Sequence, residues 1–322
     1  MRAFRLTAPH TTGLQSVPQP EPRPGEALIR VGAAGACHSD LHIMDAPDAL
    51  GMPIPLTLGH ENAGWIEALG PGVTGLEQGQ AVAVYGIVGC GQCTACLDGR
   101  DNECRNTAPA RQLIPIGDLD VAQAAPLTDA GLTPYHAIAR ARRSLRPSST
   151  CVVIGVGGLG HMAVQILAAM TPARIVAVDV RSEALDLARH LGAQHALLPG
   201  ADTVKAIRDL VGPAPGGADV VLDFVGSQTT LDLSRAVVTS GGDVVIVGLA
   251  GGALAVGFGT VPFEARVVVS FWGTRAELAE VIALARAGHI RADIDRFTLA
   301  DAQTAYDQLR AGRLKGRAVV VP

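Results

Sequence analysis

Aromatic residues are scarce in this chain, because tryptophan, tyrosine and phenylalanine together supply 3% of its 322 residues. So few rings leave no row of stacking platforms for the bases of single-stranded nucleic acid. An excess of charge of one sign is also missing, since the formal net charge is −4, whereas polyanion binding requires a strongly basic face. The composition therefore argues against a nucleic-acid partner and favours a small-molecule substrate.

Long apolar runs are missing as well. The first ten residues, MRAFRLTAPH, contain no apolar core of a secretory signal. No uncharged apolar run reaches the roughly 18 to 20 residues that cross a bilayer. We therefore expect a cytoplasmic protein with no membrane partner. In that reducing compartment, clustered cysteines are expected to bind a metal rather than to form disulfides.

The length and texture of the chain predict two kinds of domain. Up to about residue 130 the sequence is punctuated by glycine and proline between short apolar runs, which indicates a domain of small strands and loops. Beyond that point, apolar runs rich in valine and isoleucine alternate with helical stretches such as 182–193 and 227–241. The apolar runs fall at 151–170, 174–180, 219–226, 243–249 and 266–273. Strands buried on both faces give such runs, so this part predicts an α/β fold with a doubly wound parallel sheet.

A glycine-rich stretch, GVGGLG at 155–160, follows the first of these apolar strands and opens a helix. Its G-x-G-x-x-G pattern is typical of a dinucleotide-binding loop. Gly155 allows the tight turn, Gly157 lets the backbone approach the pyrophosphate, and Gly160 permits close packing of the helix. The helix N-terminus supplies amide donors to the phosphates. The predicted cofactor residues of the loop are Gly155, Gly157, Gly158, Leu159 and Gly160.

The choice between NAD and NADP depends on Asp179, which ends the next strand. An acidic side chain at this position binds the ribose hydroxyls and repels the 2′-phosphate of NADP. Arg181, two residues later, is the one feature that favours NADP, although it could also lie in solvent or face the adenine. The sequence therefore favours NAD, with NADP as the alternative.

Four of the six cysteines lie within CGQCTACLDGRDNEC, residues 90–104. The C-x2-C-x2-C-x7-C spacing allows four thiolates to converge on one ion, and four sulfur ligands leave zinc no open position. We therefore predict a structural zinc site, with an iron–sulfur cluster as the alternative. Its ligands are Cys90, Cys93, Cys96 and Cys104.

A second candidate metal site draws on GACHSDLHIMD (35–45) and LTLGHENAG (56–64). Cys37 and His60 are plausible ligands, and Asp40 is able to orient an imidazole through its second nitrogen. A buried thiol and an ordinary histidine are the simpler interpretation.

The cysteine count limits the third ligand of this second site. Cys151 begins the strand before the glycine loop, so no sulfur remains for the second site. A carboxylate or a histidine must complete it. Asp129, in PLTDAGLTPYHA (126–137), is the candidate, and a helix N-cap is its alternative role.

Taken together, these segments resemble the zinc-dependent medium-chain alcohol dehydrogenases, and most closely the bacterial NAD-dependent secondary-alcohol dehydrogenases. The resemblance is carried by GACHSD, GHENAG, the four-cysteine lobe, TDAGLTPYHA, VIGVGGLGH, FWGTRAEL and LKGRAVVVP. It implies a GroES-like, mainly-β catalytic domain at 1–130, a Rossmann domain that binds NAD at 131–272, and a return to the catalytic domain at 273–322. It also implies a homodimer or homotetramer, in which the apolar strand near 266–273 could pair edge to edge.

The resemblance assigns roles to individual residues. Cys37, His60 and Asp129 match the ligands of a catalytic zinc, with aspartate in place of a second cysteine, as in some bacterial members. Four further residues match catalytic positions: Ser39 takes the alcohol proton, His42 passes it to solvent, Glu61 can approach the zinc, and Asp40 orients the imidazole. Residues that match cofactor contacts outside the glycine loop are His38, Thr133, Asp179, Arg181, Val225, Gly248, Leu249, Trp272 and Arg317.

The implied reaction is the reversible transfer of a hydride between NAD(H) and an alcohol, with secondary alcohols favoured over primary ones. The enzyme alternatives are a polyol, sugar or formaldehyde dehydrogenase, whereas zinc-free quinone reductases would have no use for either metal site. A catalytically silent relative, such as a lens crystallin, is the alternative outside enzymes. One departure stands out: only RNTAPA (105–110) follows the lobe, where the family has roughly 30 to 40 residues that include a strand.

Overall fold

A computed structural model describes residues 1–104, 106, 112–212 and 216–322. Contacts within the chain divide it into two compact units. One unit contains Met1–Asp129, Thr274–Ala287 and Ala292–Pro322, and the other contains Ala130–Gly273 and Gly288–Arg291. Most of the C-terminal segment therefore packs within the same unit as the N-terminal one.

The described residues form fifteen strands. In chain order they are β1 (Arg2–Ala8), β2 (Thr11–Ser16), β3 (Ala27–Ala36), β4 (Leu56–Thr57), β5 (Glu61–Leu69), β6 (Ala81–Val84), β7 (Leu113–Pro115), β8 (Thr150–Ile154), β9 (Arg174–Val178), β10 (His195–Leu197), β11 (Ala218–Asp223), β12 (Val238–Ile246), β13 (Arg266–Val269), β14 (Ile294–Thr298) and β15 (Arg317–Val321).

Ten α-helices are present in the same described residues. They are α1 (His38–Asp45), α2 (Thr94–Leu97), α3 (Val121–Ala124), α4 (Leu132–Arg140), α5 (Gly160–Met170), α6 (Ser182–His190), α7 (Thr203–Val211), α8 (Gln228–Val237), α9 (Arg275–Arg286) and α10 (Ala302–Arg310). Short 3-10 turns add Asp48–Leu50, Asp101–Glu103, Ala125–Thr128, Arg142–Ser144 and Leu299–Asp301. No helix among the described residues has the length and apolar character that a membrane span requires.

The second unit is built on a six-stranded sheet in the order β10-β9-β8-β11-β12-β13. Every pairing in it is parallel. All five residues of β8 are buried, as expected for a strand that is covered on both faces. Numbered from β8, this order is the 3-2-1-4-5-6 arrangement of a Rossmann sheet. The predicted doubly wound parallel fold is therefore confirmed.

One boundary within this sheet differs from the sequence prediction. The sequence predicts a helical stretch over 227–241, but α8 ends at Val237 and β12 begins at Val238. A pair of β-branched residues, Val238 and Thr239, follows the helix, and such residues favour the extended backbone. The left-handed φ of +75° at Gly241 also cannot occur inside a helix.

The first unit contains a six-stranded sheet in the order β14-β15-β3-β5-β6-β7 and a small sheet in the order β2-β1-β4. All pairings are antiparallel except that of β14 with β15. A buried cluster that includes Phe4, Leu6, Leu41 and Tyr306 joins β1, α1 and α10. This packing fixes helix α1, which follows Cys37, against the C-terminal segment.

Strand ends in this first unit place the candidate metal ligands. Cys37 directly follows β3, and His60 directly precedes β5. These two strands pair so that Gly35 lies opposite Glu61. A Cβ atom on Gly35 would lie 1.8 Å from Oε2 of Glu61. Glycine is therefore required at position 35 for the Glu61 side chain to occupy the interior.

Candidate active site

The side chains of Cys37, His60 and Asp129 converge within the first unit, with one ligand atom from each lying within 4.8 Å of the others. Sγ of Cys37 donates to Oδ2 of Asp129 at 3.5 Å, and Nε2 of His60 lies 3.6 Å from the same oxygen. Asp129 follows a 3-10 turn, and α4 has Gly131 as its N-cap. The alternative role of Asp129 as a helix N-cap is therefore wrong.

Asp40 connects two of these residues. Its Oδ1 lies 3.0 Å from Nδ1 of His60, and its Oδ2 accepts the backbone N–H of Cys37 at 3.0 Å. The imidazole therefore directs Nε2 at the cluster, as a carboxylate-oriented metal ligand does. Burial alone lowers the pKa of His60, but Asp129 and Asp40 outweigh burial and raise it. Metal binding at Nε2 therefore displaces a proton.

Glu61 and Arg317 form a buried ion pair behind the cluster. Nε of Arg317 donates to Oε2 of Glu61 at 2.9 Å, and a second bond runs from Nη2 to Oε1. Nη2 also donates to Oδ2 of Asp129 at 3.1 Å. Burial raises the pKa of Glu61 and the guanidinium opposes that rise. Arg317 is 2% exposed. Its predicted contact with the cofactor pyrophosphate remains a prediction.

Helix α1 carries the predicted proton-transfer residues. Oγ of Ser39 lies 3.4 Å from Nε2 of His60, so this hydroxyl reaches the cluster. His42, one turn later on the same helix, is exposed to solvent. His38 is also exposed at the start of the helix. The structure thus brings Ser39 to the ligands and leaves His42 in contact with water.

The four cysteines of residues 90–104 form the second cluster, which we call the lobe. Their sulfur atoms lie within 4.8 Å of one another, and those of Cys93 and Cys104 are 3.8 Å apart. A tetrahedral zinc with Zn–S bonds of about 2.3 Å requires sulfur separations of about 3.8 Å. The backbone N–H groups of Gln92 and Cys93 lower the pKa of Cys90 to about 6. The donor set therefore fits a closed zinc site.

Asp101 attaches the lobe to the rest of the first unit. Its carboxylate accepts the N–H of Arg275, the first residue of α9, at 3.2 Å. Tyr85 bonds the same carboxylate, and burial together with Asp101 raises the pKa of that phenol. The segment 105–110, where the family resemblance breaks, lies outside the described residues apart from Asn106.

The glycine loop connects β8 to α5 in the second unit. Gly155 has a φ of +84°, in the left-handed region, and a Cβ on Gly160 would lie 1.8 Å from the carbonyl oxygen of Gly155. Among the described residues, a Cβ on Gly157 would have only Arg181 nearby, at 4.0 Å. The backbone at Gly157 is therefore open to a ligand, while Gly155 and Gly160 are required by the turn itself. Gly158 and Leu159 lie in the same turn.

Asp179, which follows β9, is hydrogen-bonded to the loop. Its Oδ2 accepts the N–H of Val156 at 2.7 Å, and its Oδ1 accepts the N–H of Arg181 at 2.9 Å. Nε of Arg181 lies 3.4 Å from the same Oδ1. Arg181 is therefore held beside the carboxylate while its side chain stays 32% exposed, and its predicted contact with the cofactor remains a prediction.

The remaining predicted cofactor residues of the second unit fall at strand ends and on α4. Val225 and Gly248 follow β11 and β12, and a Cβ on Gly248 would lie 2.0 Å from the backbone of Val225. Leu249 is largely exposed, and Thr133 is buried on α4. Trp272 has a φ of +51°, which is uncommon for a bulky residue. Such backbone strain occurs preferentially at functional sites.

Comparison with known proteins agrees with both halves of this arrangement. Residues 23–131 match the model of the alcohol dehydrogenase GroES-like domain, and residues 158–287 match that of the zinc-binding dehydrogenases. An NAD-dependent alcohol dehydrogenase of Sulfurisphaera tokodaii is 35% identical, with all of both chains covered. This chain belongs to the zinc-type medium-chain alcohol dehydrogenases. The alignment spans 351 positions against the 322 residues of this chain, so the relative carries residues that this member lacks.

Solved structures of this dehydrogenase family share the fold. The alcohol dehydrogenase of Aeropyrum pernix matches with a TM-score of 0.91 at 35% identity, with 100% of both chains covered. An acetophenone reductase of Geotrichum candidum, solved with NAD, has a TM-score of 0.88 at 32% identity and covers 100% of this chain and 97% of its own. A D-arabinose 1-dehydrogenase (NADP(+)) of Saccharolobus solfataricus is 31% identical over 96% of this chain and 94% of its own.

Two features of this dehydrogenase's site have no signal in the sequence. Tyr306 bonds Asp40 from a helix 266 positions away, and Arg317 bonds Asp129 in addition to Glu61. Helix α10 buries several of its residues, Tyr306 among them. Nothing in its periodicity identifies which buried residue contacts the site.

Proposed function

We propose that this protein catalyses the reversible, NAD-dependent oxidation of a secondary alcohol to a ketone. The observation that carries the proposal is the convergence of Cys37, His60 and Asp129, with the imidazole oriented by Asp40. Membership of the zinc-type alcohol dehydrogenases supports it, as does the likeness to an acetophenone reductase solved with NAD.

The donor set at this cluster fits a catalytic zinc. One thiolate, one imidazole and one carboxylate are ordinary zinc ligands, and three protein ligands leave a fourth position for a substrate. Bound zinc supplies a Lewis acid that polarises the oxygen of the alcohol or ketone. The same reasoning assigns the lobe to a second, structural zinc, because its four sulfurs leave no coordination position open for a substrate.

Helix α1 provides the proposed route for the proton. Ser39 holds its hydroxyl at the cluster, 3.4 Å from Nε2 of His60. Its Oγ accepts the proton of the alcohol and passes its own hydroxyl proton on toward solvent. His42 lies one turn further along the same helix in solvent. Histidine is the side chain best suited to exchange protons with water near neutral pH. We therefore assign Ser39 to proton removal and His42 to proton release.

Asp179 supports NAD as the cofactor. Its carboxylate is fixed beside the glycine loop through Val156, where a negative charge binds ribose hydroxyls and opposes a 2′-phosphate. Bound NAD supplies the hydride acceptor. NADP is the second candidate, because Arg181 lies beside this carboxylate and a relative with 31% identity is named an NADP(+)-dependent enzyme. Rates with the two cofactors at matched concentrations distinguish them.

The test of the function uses Cys37→Ala in the full-length protein. We expect zinc content to fall from two ions to one per chain, together with loss of NADH formation from 2-propanol and 1-phenylethanol. Cys151→Ala is the matched control, because Cys151 is buried in β8 outside both clusters. Full zinc-dependent activity in Cys37→Ala would overturn the proposal. Preference for pentoses or polyols over these alcohols would favour the sugar-dehydrogenase alternative.

The free edge of the Rossmann sheet supports a homodimer or homotetramer. Among the described residues, β13 has a strand neighbour on one side only. Its last residue, Val269, is 77% exposed, and an apolar strand edge is a template for pairing with a second copy. Val269→Lys should lower the molecular mass measured by sedimentation. A monomeric wild-type protein at micromolar concentration would contradict the assembly.

Two further expectations remain proposals. We place the domain boundaries near residues 130 and 272, in keeping with the two compact units. We place the protein in the cytoplasm, because its six cysteines, all within the described residues, are unbridged and suit a reducing compartment.

A further inference from the structure

Tyr306 contacts the active site from the C-terminal helix α10. The residue is 3% exposed, and its ring stacks on Phe4 at a centroid distance of 5.8 Å. Its hydroxyl donates to Oδ2 of Asp40 at 3.3 Å. Burial and the nearby Asp40 raise the pKa of this phenol, so the hydroxyl remains a donor. The phenol therefore contributes both apolar packing and one directed hydrogen bond.

Asp40, the acceptor of this bond, serves two candidate ligands at once. Its Oδ1 contacts Nδ1 of His60, and its Oδ2 accepts the backbone N–H of Cys37. Asp40 is 2% exposed, so water cannot readily replace a lost partner of its carboxylate. Hydrogen bonds to a buried charged acceptor are among the stronger ones, and their loss leaves a costly unsatisfied group. The orientation of Asp40 therefore matters to both Cys37 and His60.

We propose that Tyr306 is a positioning residue for the catalytic zinc site. Its hydroxyl holds the Asp40 carboxylate in the plane that directs His60 and Cys37 at the metal. The proposal rests on the proposed function of this cluster. The hydrogen bond described for Tyr306 goes to Asp40 and not to a ligand. Its effect on them passes through Asp40.

The variant Tyr306→Phe removes the hydroxyl and keeps the ring that stacks on Phe4. Loss of an outer partner of a metal ligand lowers metal affinity by about 10- to 100-fold. The loss of one long hydrogen bond should have an effect at the lower end of that range. We expect zinc binding at the Cys37 cluster to weaken about tenfold, with zinc binding at the lobe unchanged. The kinetics of zinc release to a competing chelator report on both sites as separate phases. The phase that is missing in Cys37→Ala belongs to the Cys37 cluster.

Tyr85→Phe is the matched control, because it removes a buried tyrosine hydroxyl that bonds the carboxylate of Asp101 instead. It should leave the phase assigned to the Cys37 cluster unchanged. Asp40→Asn tests whether the effect of Tyr306 on the ligands passes through Asp40. In that background Tyr306→Phe should change zinc affinity by less than about twofold, because the charged acceptor is already gone.

The outcomes are distinct from those that test the function. Wild-type zinc affinity at the Cys37 cluster in Tyr306→Phe, with only a lower melting temperature, would overturn the positioning role and leave the dehydrogenase proposal standing. An undiminished effect of Tyr306→Phe in the Asp40→Asn background would also overturn it. Full activity in Cys37→Ala would instead remove the function on which the inference rests. In the zinc-saturated variant we expect kcat to fall more than KM rises.

Discussion

The lobe and the Cys37 cluster gather metal ligands in opposite ways. The lobe takes four sulfurs from residues 90–104, all of them only partly buried. The Cys37 cluster takes one sulfur, one nitrogen and one oxygen from positions 37, 60 and 129, where Cys37 and Asp129 are buried. Short loops alone bring the lobe ligands together, whereas the other ligands depend on β3 and β5 pairing in one register. The comparison suggests that local spacing builds a closed site and that distributed packing builds an open one.

Each cluster also has a tyrosine that bonds an aspartate. Tyr306 bonds Asp40, which contacts the ligands directly. Tyr85 bonds Asp101, which contacts the start of α9 and no cysteine sulfur in the described hydrogen bonds. A tyrosine–aspartate pair therefore contacts the ligands in one cluster, and a second such pair attaches the lobe to α9 in the other. Variants of each kind separate these two effects.

The largest effect is expected from His60→Ala. Removal of this ligand should lower kcat/KM by at least about a thousandfold, because metal polarisation supplies several kcal/mol of transition-state stabilisation. The melting temperature should change little in comparison. Initial rates and zinc content check the prediction. Retention of more than a tenth of the activity would contradict the distinction between the Cys37 cluster as the catalytic site and the lobe as the structural one.

Cys96→Ala should have the reverse profile. Loss of one lobe ligand should release the lobe zinc, because binding free energy at a structural zinc is folding free energy. We expect stability to fall by about 3 kcal/mol, at the upper end of the ordinary range for single substitutions. Zinc at the Cys37 cluster should remain. Chemical denaturation and metal analysis measure the effect. A variant with normal stability but no activity would show that the lobe serves the chemistry after all.

Gly35→Ala tests how far the Cys37 cluster depends on strand packing. The added methyl group would overlap Oε2 of Glu61, and overpacking of this kind costs about 1 to 3 kcal/mol. We expect a destabilised protein with disturbed zinc binding at positions 37 and 60. Gly13→Ala in β2 is the control, since no atom of the part of the chain that the structure describes lies within 4 Å of its Cβ position. Equal melting temperatures for the two variants would contradict the prediction.

Asp101→Ala should have the smallest effect on stability, about 1 to 2 kcal/mol, as for the loss of a charged group at a helix N-terminus. The expected result is faster proteolysis or hydrogen exchange within residues 90–104, with unchanged activity at low temperature. Asp98→Ala is the control, because Asp98 pairs with Arg100 at the surface, where ion pairs contribute little. If Asp98→Ala loosens the lobe equally, Asp101 is not its attachment.

The features that could be predicted from sequence are local in the chain. The cysteine spacing predicts the lobe, because short loops limit where the sulfurs can go. The glycine loop is also local, since Gly155 and Gly160 are both required within one turn. The alternation of apolar strands and helices predicts the parallel sheet for a related reason: each strand is buried on both faces by the helices that flank it.

The count of six cysteines predicts a third ligand other than sulfur, with Asp129 as the candidate, and the fold brings Asp129 within 4.8 Å of the other two candidate ligands. Composition offers no equivalent route to Tyr306, Arg317 or the space at Gly35. Their contacts join segments separated by long stretches of chain, and the direction of each side chain follows from strand register and helix packing. The sequence alone thus determined the family, the lobe and the cofactor loop. Only the tertiary structure decided which distant side chains orient the ligands, because no local interaction brings those segments together.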